Sequence, residues 1–564
     1  MTPRLVGQPL LYTISIFASL GLCLFPLTVV APFTSSLDMT RVGVMSGIIT
    51  GPYFKAFFHQ PTRYELGTMV AILEIGAFIT SIISGRFGDI FGRRKTLFIG
   101  ALVFTIGGLC QSLSSGFTSM VMGRVISGFG VGFLSTIVPI YQSEISPADH
   151  VCHFSSWFTK QPVRGKLACM EFTGNVFGYA ASVWLDYFSS FIESDWSWRF
   201  PLFFQCVIGT ILMIGSCLIP ESPRWLLDTD QDRAGMRVLV DLHGGDPRNE
   251  KARQEYTEIK EAVLDDRLAP DRSYLAMWTR YRGRVLLAIM GLMSLVIVNA
   301  PLIFESAGWI GRDAILMTGI NGTVYVFSTI PTCVFGYFFL TSPPIWYLVD
   351  EWGRRFILLS GSVIMALALT FMGWFLYLDT TYTPLAVVFC VVIYNAFFGY
   401  SWGPIPWLYP PEIMPLPFRV KGVSISTATN WFFNYLVGEA TPVLQDAIRW
   451  RLYPMHACFC VMSFILVYFA YPETCGIPLE DMDELFGDVG LEDHENQSLV
   501  NSERSSIQRA LEPPDLMDHD DSDEVPGHMN TKSYPSSWVD RLFAFRKNPA
   551  RSPVGYRTAA PDDE

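Results

Sequence analysis

Apolar residues in this chain gather into runs of about twenty, parted by short stretches rich in Gly, Pro and charge. A run of about that length crosses a hydrocarbon core of ~30 Å as an α-helix, the form that satisfies its own backbone polar groups in lipid. Twelve such runs stand out: 11–31, 66–84, 96–114, 118–141, 168–190, 200–219, 284–304, 314–341, 356–377, 384–408, 423–444 and 453–471. The first has no clear small-residue cleavage site and is long enough to span, so it reads as a helix and not as a secretory signal. The longest polar interruption, 222–283, divides the runs six and six. Inside it NEKARQEYTEIKEAVLDDR (249–267) places Glu and Lys at helical spacing, which predicts short helices rather than a folded domain. The pattern predicts an all-α polytopic membrane protein. A six-helix bundle covers 1–221, a linker 222–283, a second six-helix bundle 284–471 and a mostly disordered tail 472–564.

Lysine and arginine add an orientation. With the N-terminus inside, the inward loops hold Arg93, Arg94 and Lys95; Lys160, Arg164 and Lys166; Arg280, Arg282 and Arg284; Arg354 and Arg355; Arg419 and Lys421. Outward loops are poorer, with Arg41, Lys55 and Arg63 as exceptions. The positive-inside rule therefore puts both termini in the cytosol. The tail carries 21 Asp/Glu against 8 Lys/Arg, while the whole chain has a net charge of −12. The acidity is thus a property of the tail and says nothing about a substrate.

Composition agrees with lipid: 50% of residues are hydrophobic and 16% charged, where soluble proteins carry about 25%. Eleven cysteines lie mainly in the apolar runs, and no pair has zinc-site spacing. HACFC (456–460) reads as packing in the last run, not as a metal site. GFGVG (128–132) lacks the strand–turn–helix setting of a nucleotide loop and reads as close helix packing. Asn321-Gly-Thr is a formal glycosylation sequon inside a run. No catalytic constellation occurs in a water-accessible setting, so an enzyme is not expected. Nothing calls for a metal, a cofactor or nucleic acid.

One motif repeats. GRFGDIFGRRK (85–95) joins runs two and three, and WYLVDEWGRR (346–355) joins runs eight and nine. An Asp, two residues, Gly, Arg and Arg recur six runs apart. Parallel six-helix repeats are a transporter architecture with the substrate at the midplane. Clusters of this kind can lock the inner faces of two halves together; the plainer alternative is that the arginines only set topology.

With GRVISGFGVGFLSTIVPIYQSEISP (123–147), RGK (164–166), PESPRWLL (220–227), GPIPWLYPPEI (403–413), ATNWFFN (428–434) and PETCGIPLEDMDELF (472–486), the chain resembles the sugar porter family of the major facilitator superfamily, fungal type, over nearly all of 11–486. The resemblance implies alternating access to a small neutral sugar by a monomer in the plasma membrane. It implies sugar contacts at Asn321, Trp407 and Asn430, amides for hydroxyls and an indole for the ring face. An interfacial anchor is the other reading of Trp407. It implies a cytosolic lock of Gly85, Asp89, Arg93, Arg94, Glu144, Arg164, Glu221, Arg224, Asp350, Arg354, Arg355, Glu412, Arg419 and Glu473. Arg124 lies within run four and is implied to pair with a coupling aspartate in run one; a co-transported proton is the one candidate cofactor.

The chain departs from that family at four places. The run-one aspartate element is absent near 26–42, with Asp38 the nearest acid in sequence. VCHFSSWFTKQPV (151–163) interrupts a short loop, 287–300 lacks the run-seven sugar ligands, and 332–342 lengthens run eight. Phe172 stands where many relatives have a glutamine. Sharp edges suggest misassigned introns, with true divergence as the rival. As printed, the chain reads as a facilitative carrier, whereas proton symport is the expectation for its relatives. Two further readings stay open: a non-transporting sugar sensor that signals through its tail, and an inactive product of a misassigned gene model.

Overall fold

The structure, a computed structural model, describes residues 45, 47–49, 51–145, 164–268, 273–293, 309, 312–329, 352–415, 418–474 and 482–486. The first run, the four departures apart from 287–293, and the acidic tail beyond 486 lie outside the described residues. No strand occurs among the described residues.

In the N-terminal half a short helix, α1 (Pro52–Phe57), precedes α2 (Arg63–Phe91), α3 (Arg93–Ser112), α4 (Phe117–Ile145), α5 (Arg164–Ser189) and α6 (Trp196–Ser216). Thr62 starts α2 with a capping box: its hydroxyl accepts from the Glu65 amide at 3.3 Å, and the Glu65 carboxylate accepts from the Thr62 amide at 2.7 Å. At ~1.5 Å per residue α2 is about 44 Å long, longer than the bilayer core. It therefore runs through most of the stretch expected to be a charged turn. The turn itself is a single residue, Gly92.

The linker holds α7 (Pro223–Asp228), α8 (Asp232–Leu242), α9 (Glu250–Leu268) and α10 (Tyr274–Arg280). The first three pack around their own core of Leu227, Met236, Leu239, Val240, Ala252 and Tyr256. Lys260 is buried there with its ammonium 2.6 Å from Asp232. The linker is thus a small packed unit, more than the loose helices the charge spacing predicted.

The C-terminal half contains α11 (Arg282–Met293), α12 (Arg312–Thr329), α13 (Arg354–Leu378), α14 (Thr383–Tyr400), α15 (Ile405–Ile413), α16 (Arg419–Ile448) and α17 (Leu452–Ala470), then a final turn, α18 (Met482–Leu485). The expected tenth span is broken: α14 ends at Tyr400 and α15 resumes at Ile405, beyond Gly403 and Pro404. Seven helices of the described residues are long and apolar enough to cross a membrane. Each half is built around an apolar core; the C-terminal one also takes in Val176 and Ala180 of α5, and the N-terminal one Trp431 of α16. Large apolar side chains also line outward faces at helical spacing, such as Leu102, Ile106 and Leu109 on α3 and Val363, Leu367 and Phe371 on α13. An exposed stripe of this kind fits contact with lipid tails.

The GFGVG stretch brings three helices together, as its small residues predict. A Cβ added at Gly128 would fall 2.2 Å from the Leu73 carbonyl of α2, and one at Gly130 would fall 2.5 Å from the Phe104 amide of α3. The halves meet along α2 with α16 and α5 with α12. Gly85 faces Ser424 so closely that a Cβ would lie 2.4 Å from its hydroxyl. Among the described residues, isolated polar bonds cross these seams. Trp431 donates to Ser135 at 3.1 Å, Thr68 to Glu439 at 2.8 Å, and Trp184 to Thr323 at 2.9 Å.

Gly128→Ala is expected to destabilise the protein by about 1–3 kcal/mol, since the backbone carbonyl it meets cannot swing away. Gly116→Ala, where a Cβ meets nothing within 4 Å, is expected to leave stability unchanged. Thermal melting of the two variants in detergent checks the contrast; equal midpoints would refute it.

Candidate functional site

At one end of the N-terminal half, α3 begins one residue after α2 stops. That residue, Gly92, has φ +89°, a region open to glycine. Glu221, from the segment after α6, caps the new helix. Its Oε1 accepts from the amides of Arg93 at 2.8 Å, Arg94 at 3.1 Å and Ser222 at 3.1 Å. A carboxylate there meets unpaired amides and the positive end of the helix dipole. Burial pushes the Glu221 carboxyl above the usual carboxylate range, while these amides and the Arg93 guanidinium pull it back. A Cβ at Gly92 would fall 2.5 Å from Glu221 Oε2, a second demand for glycine.

The Arg93 side chain turns the other way. Its Nε and Nη2 grip the Glu144 carboxylate of α4 at 2.9 and 2.8 Å, and Nη1 reaches Asp89 at 3.4 Å. Such a fork is the strong, directional form of the ion pair. Arg94 donates to the carbonyls of Ser216 and Cys217, tying α3 to α6. The Trp225 indole donates to the Asp89 carbonyl at 2.9 Å.

The C-terminal half repeats this arrangement. Gly353, with φ +81°, precedes α13, and a Cβ on it would fall 2.4 Å from Glu473 Oε2. Glu473 accepts from the amides of Arg354 at 2.8 Å and Arg355 at 3.0 Å. Arg354 Nη2 lies 2.9 Å from Glu412 Oε1, and Thr474 donates to the other Glu412 oxygen at 3.0 Å. Arg355 donates to the Tyr468 carbonyl of α17. Glu221 and Glu473 therefore do the same work in PES and PET.

The resemblance implies that these clusters lock one half to the other. Every described ion pair of these clusters lies within one half, binding its own helices to one another. A longer-range charge interaction between Lys421 of α16 and Asp89 reaches from one half to the other. Arg224 is half-exposed and joins no cluster among the described residues. Gly85 belongs to the α2–α16 seam, and Arg419 opens α16 at the same end of the fold. Asp350 and the Arg164 side chain lie outside the described residues.

Deeper in the fold the polar groups behave differently. Asn321 on α12 is 1% exposed, and neither its amide nitrogen nor its oxygen has a hydrogen-bond partner among the described residues. Asn430 on α16 is buried with its oxygen unmet. Trp407 sits on α15 beyond the break, partly buried against the C-terminal core. Arg124 donates to the Val70 carbonyl of α2 at 2.8 Å, and Asp38 lies outside the described residues. Three buried residues went unread in the sequence: Glu74 on α2, and Asn175 and Asp186 on α5. The signal was there for two of them, since an acid inside an apolar run is rare and costly. The model for sugar (and other) transporters matches residues 27–486.

The chain belongs to this family. It is 29% identical over 480 residues to a high-affinity glucose transporter of Kluyveromyces lactis, covering 79% of this chain and 82% of that protein. It is likewise 29% identical over 483 residues to the MFS-type transporter criB of Aspergillus cristatus, covering 83% and 94%. Among solved structures, the proton:xylose symporter XylE bound to 6-bromo-6-deoxy-D-glucose superposes with a TM-score of 0.67 at 23% identity, covering 84% of this chain and 99% of that one. That likeness shows the fold of this transporter: a twelve-helix bundle of two halves.

The geometry of the transporter's clusters predicts where energetic coupling lies. Double-mutant cycles read by thermal unfolding should give a coupling of at least ~1.5 kcal/mol for Arg93 with Glu144 and for Arg354 with Glu412. Arg93 with Glu412 should be additive within about 0.5 kcal/mol. Strong coupling across the halves would overturn the within-half assignment.

Proposed function

We propose that this chain carries a small neutral sugar of hexose-like size across a membrane by alternating access, its two halves rocking about a central site. Asn321 carries this reading. A buried amide with both ends unmet costs on the order of 1–3 kcal/mol per group, and a ligand rich in hydroxyls supplies both a donor and an acceptor. Asn430 offers a second such group from α16, and Trp407 an aromatic face from the broken helix. The broken helix and the repeated halves fit a site where backbone irregularity lines a cavity. The glucose transporter and the xylose symporter named above support a monosaccharide as cargo.

In this reading the clusters around Arg93 and Arg354 make each half a stiff body. The glycine-lined seams, with isolated bonds across them, are where movement occurs. The basic loops support a cytosolic position for the cluster ends and both termini, and the reading takes the protein as a monomer in the plasma membrane. No chemistry is done on the sugar.

Radiolabelled uptake in a transporter-deficient cell tests this. D-glucose or another monosaccharide should enter saturably. Asn321→Ala should raise KM by about 5- to 150-fold, the equivalent of ~1–3 kcal/mol, with normal amounts of protein in the membrane. Signalling without flux would point to a sensor, and neither flux nor signalling to an inactive product; both would defeat the proposal.

A further inference from the structure

Helix α16 meets the N-terminal half along a stripe in which Ser424, Trp431 and Gly438 follow one another about two turns apart. The two small residues let backbones close in. A Cβ on Gly85 of α2 would lie 2.4 Å from Ser424 Oγ, and one on Gly438 would lie 3.2 Å from Ala71 Cβ of α2. Between these levels Trp431 crosses the seam. It is 5% exposed and belongs to the apolar core of the N-terminal half, with Ala77, Val131, Leu134 and Val138. Its indole Nε1 donates to Ser135 Oγ on α4 at 3.1 Å. The next residue, Phe432, lies against Phe78 of α2 with ring centroids 5.6 Å apart.

Small residues resist neither sliding nor turning of a helix. An indole seated in the opposite core resists both, because it fills one hole and its N–H points at one acceptor. Trp431 therefore sets the height and the rotation of α16 against the N-terminal half. Asn430 precedes it, and one residue along a helix is a turn of about 100°. Thr427, Asn430 and Asn434 share that second face of α16, and all three are buried. The Asn430 oxygen has no hydrogen-bond partner among the described residues. The rotation that seats the indole is thus the rotation that directs the amide.

We infer that Trp431 is a positioning residue for sugar binding: keyed into the opposite half and bonded to Ser135, it aims the Asn430 amide at the sugar. The inference rests on the transport reading above, in which Asn430 offers its amide to the guest. It adds two residues, Trp431 and Ser135, that touch no sugar and yet set its affinity. A directed contact tolerates about 0.5 Å of error, so a helix freed to turn loses part of it.

Radiolabelled D-glucose uptake by the full chain (D-xylose where uptake selects it), corrected for protein in the membrane, tests this. Trp431→Phe keeps the ring and loses the N–H; Ser135→Ala removes the acceptor. Each should raise KM by about 2- to 12-fold, the worth of one hydrogen bond, with kcat within about twofold of wild type. The double variant should be no worse than either single one, since both remove the same bond. On an Asn430→Ala background, Ser135→Ala and Trp431→Phe should change KM no further. Should Trp431→Phe fail to reach the membrane, Ser135→Ala, which deletes a single oxygen, decides alone. An unchanged KM in these variants, multiplicative effects in the double variant, or a penalty that persists without Asn430 overturns the inference and leaves transport standing. An Asn430→Ala variant with wild-type KM removes the Asn430 contact and this inference together, again with transport intact. Absence of saturable uptake by the wild type removes the transport reading itself.

Discussion

Both halves of this molecule answer one constraint. A membrane helix has to end and the next begin within a single residue, and the amides at the new start have to be met. Glycine solves the first part at Gly92 and Gly353, where φ is +89° and +81°. A glutamate from the segment after the sixth or twelfth span solves the second, Glu221 below α3 and Glu473 below α13. Once the amides are held, each arginine side chain is free to grip its own partner, Glu144 or Glu412. The N-terminal cluster thereby joins helices two, three, four and six through one residue's backbone and side chain. Its C-terminal counterpart uses the same two outlets of Arg354.

This arrangement separates rigidity from motion. The strong directed bonds lie inside the halves, at about 2.8–2.9 Å, and the seams between halves rest on small residues and isolated hydrogen bonds. Breaking one half's cluster would expose a buried charge, which is expensive. Sliding Gly85 past Ser424 exposes little. A molecule built this way bends at its seams before it deforms its halves.

Much of this was legible in the sequence. Apolar runs of span length, the six-and-six division and the repeated Gly, Arg and Arg read correctly because lipid enforces helix length and repeats enforce symmetry. GFGVG read correctly because small residues at that spacing have little use other than close packing. Three features were out of reach, each for a physical reason. The helical course of residues 85–91 was hidden because charge at a span end looks the same in a turn and in an overhanging helix. That the arginines pair within halves was hidden because partner choice is tertiary: Arg93 and Glu144 are distant in sequence and meet through packing. Linker packing was hidden because the alternation of Glu and Lys along α9 masks the few apolar positions that meet Leu227. Asp186 is a different matter, since an acid in an apolar run is a signal the sequence carries.

The contrast between polar groups at the two levels of the fold says where function resides. At the cluster end the Glu221 and Glu473 carboxylates each accept at least two backbone bonds, and Arg93 has five acceptor atoms within reach of its backbone and side chain. Between the halves, Asn321, Asn430 and Asn175 hold buried polar atoms with no hydrogen-bond partner among the described residues, as does Asp186 on α5. Burial without a partner is a penalty that folding alone does not explain, since Val or Leu in these positions would remove it. The penalty is tolerable when a visiting ligand lifts it for part of a cycle. Neutral amides near the seams suit a neutral hydroxylated guest.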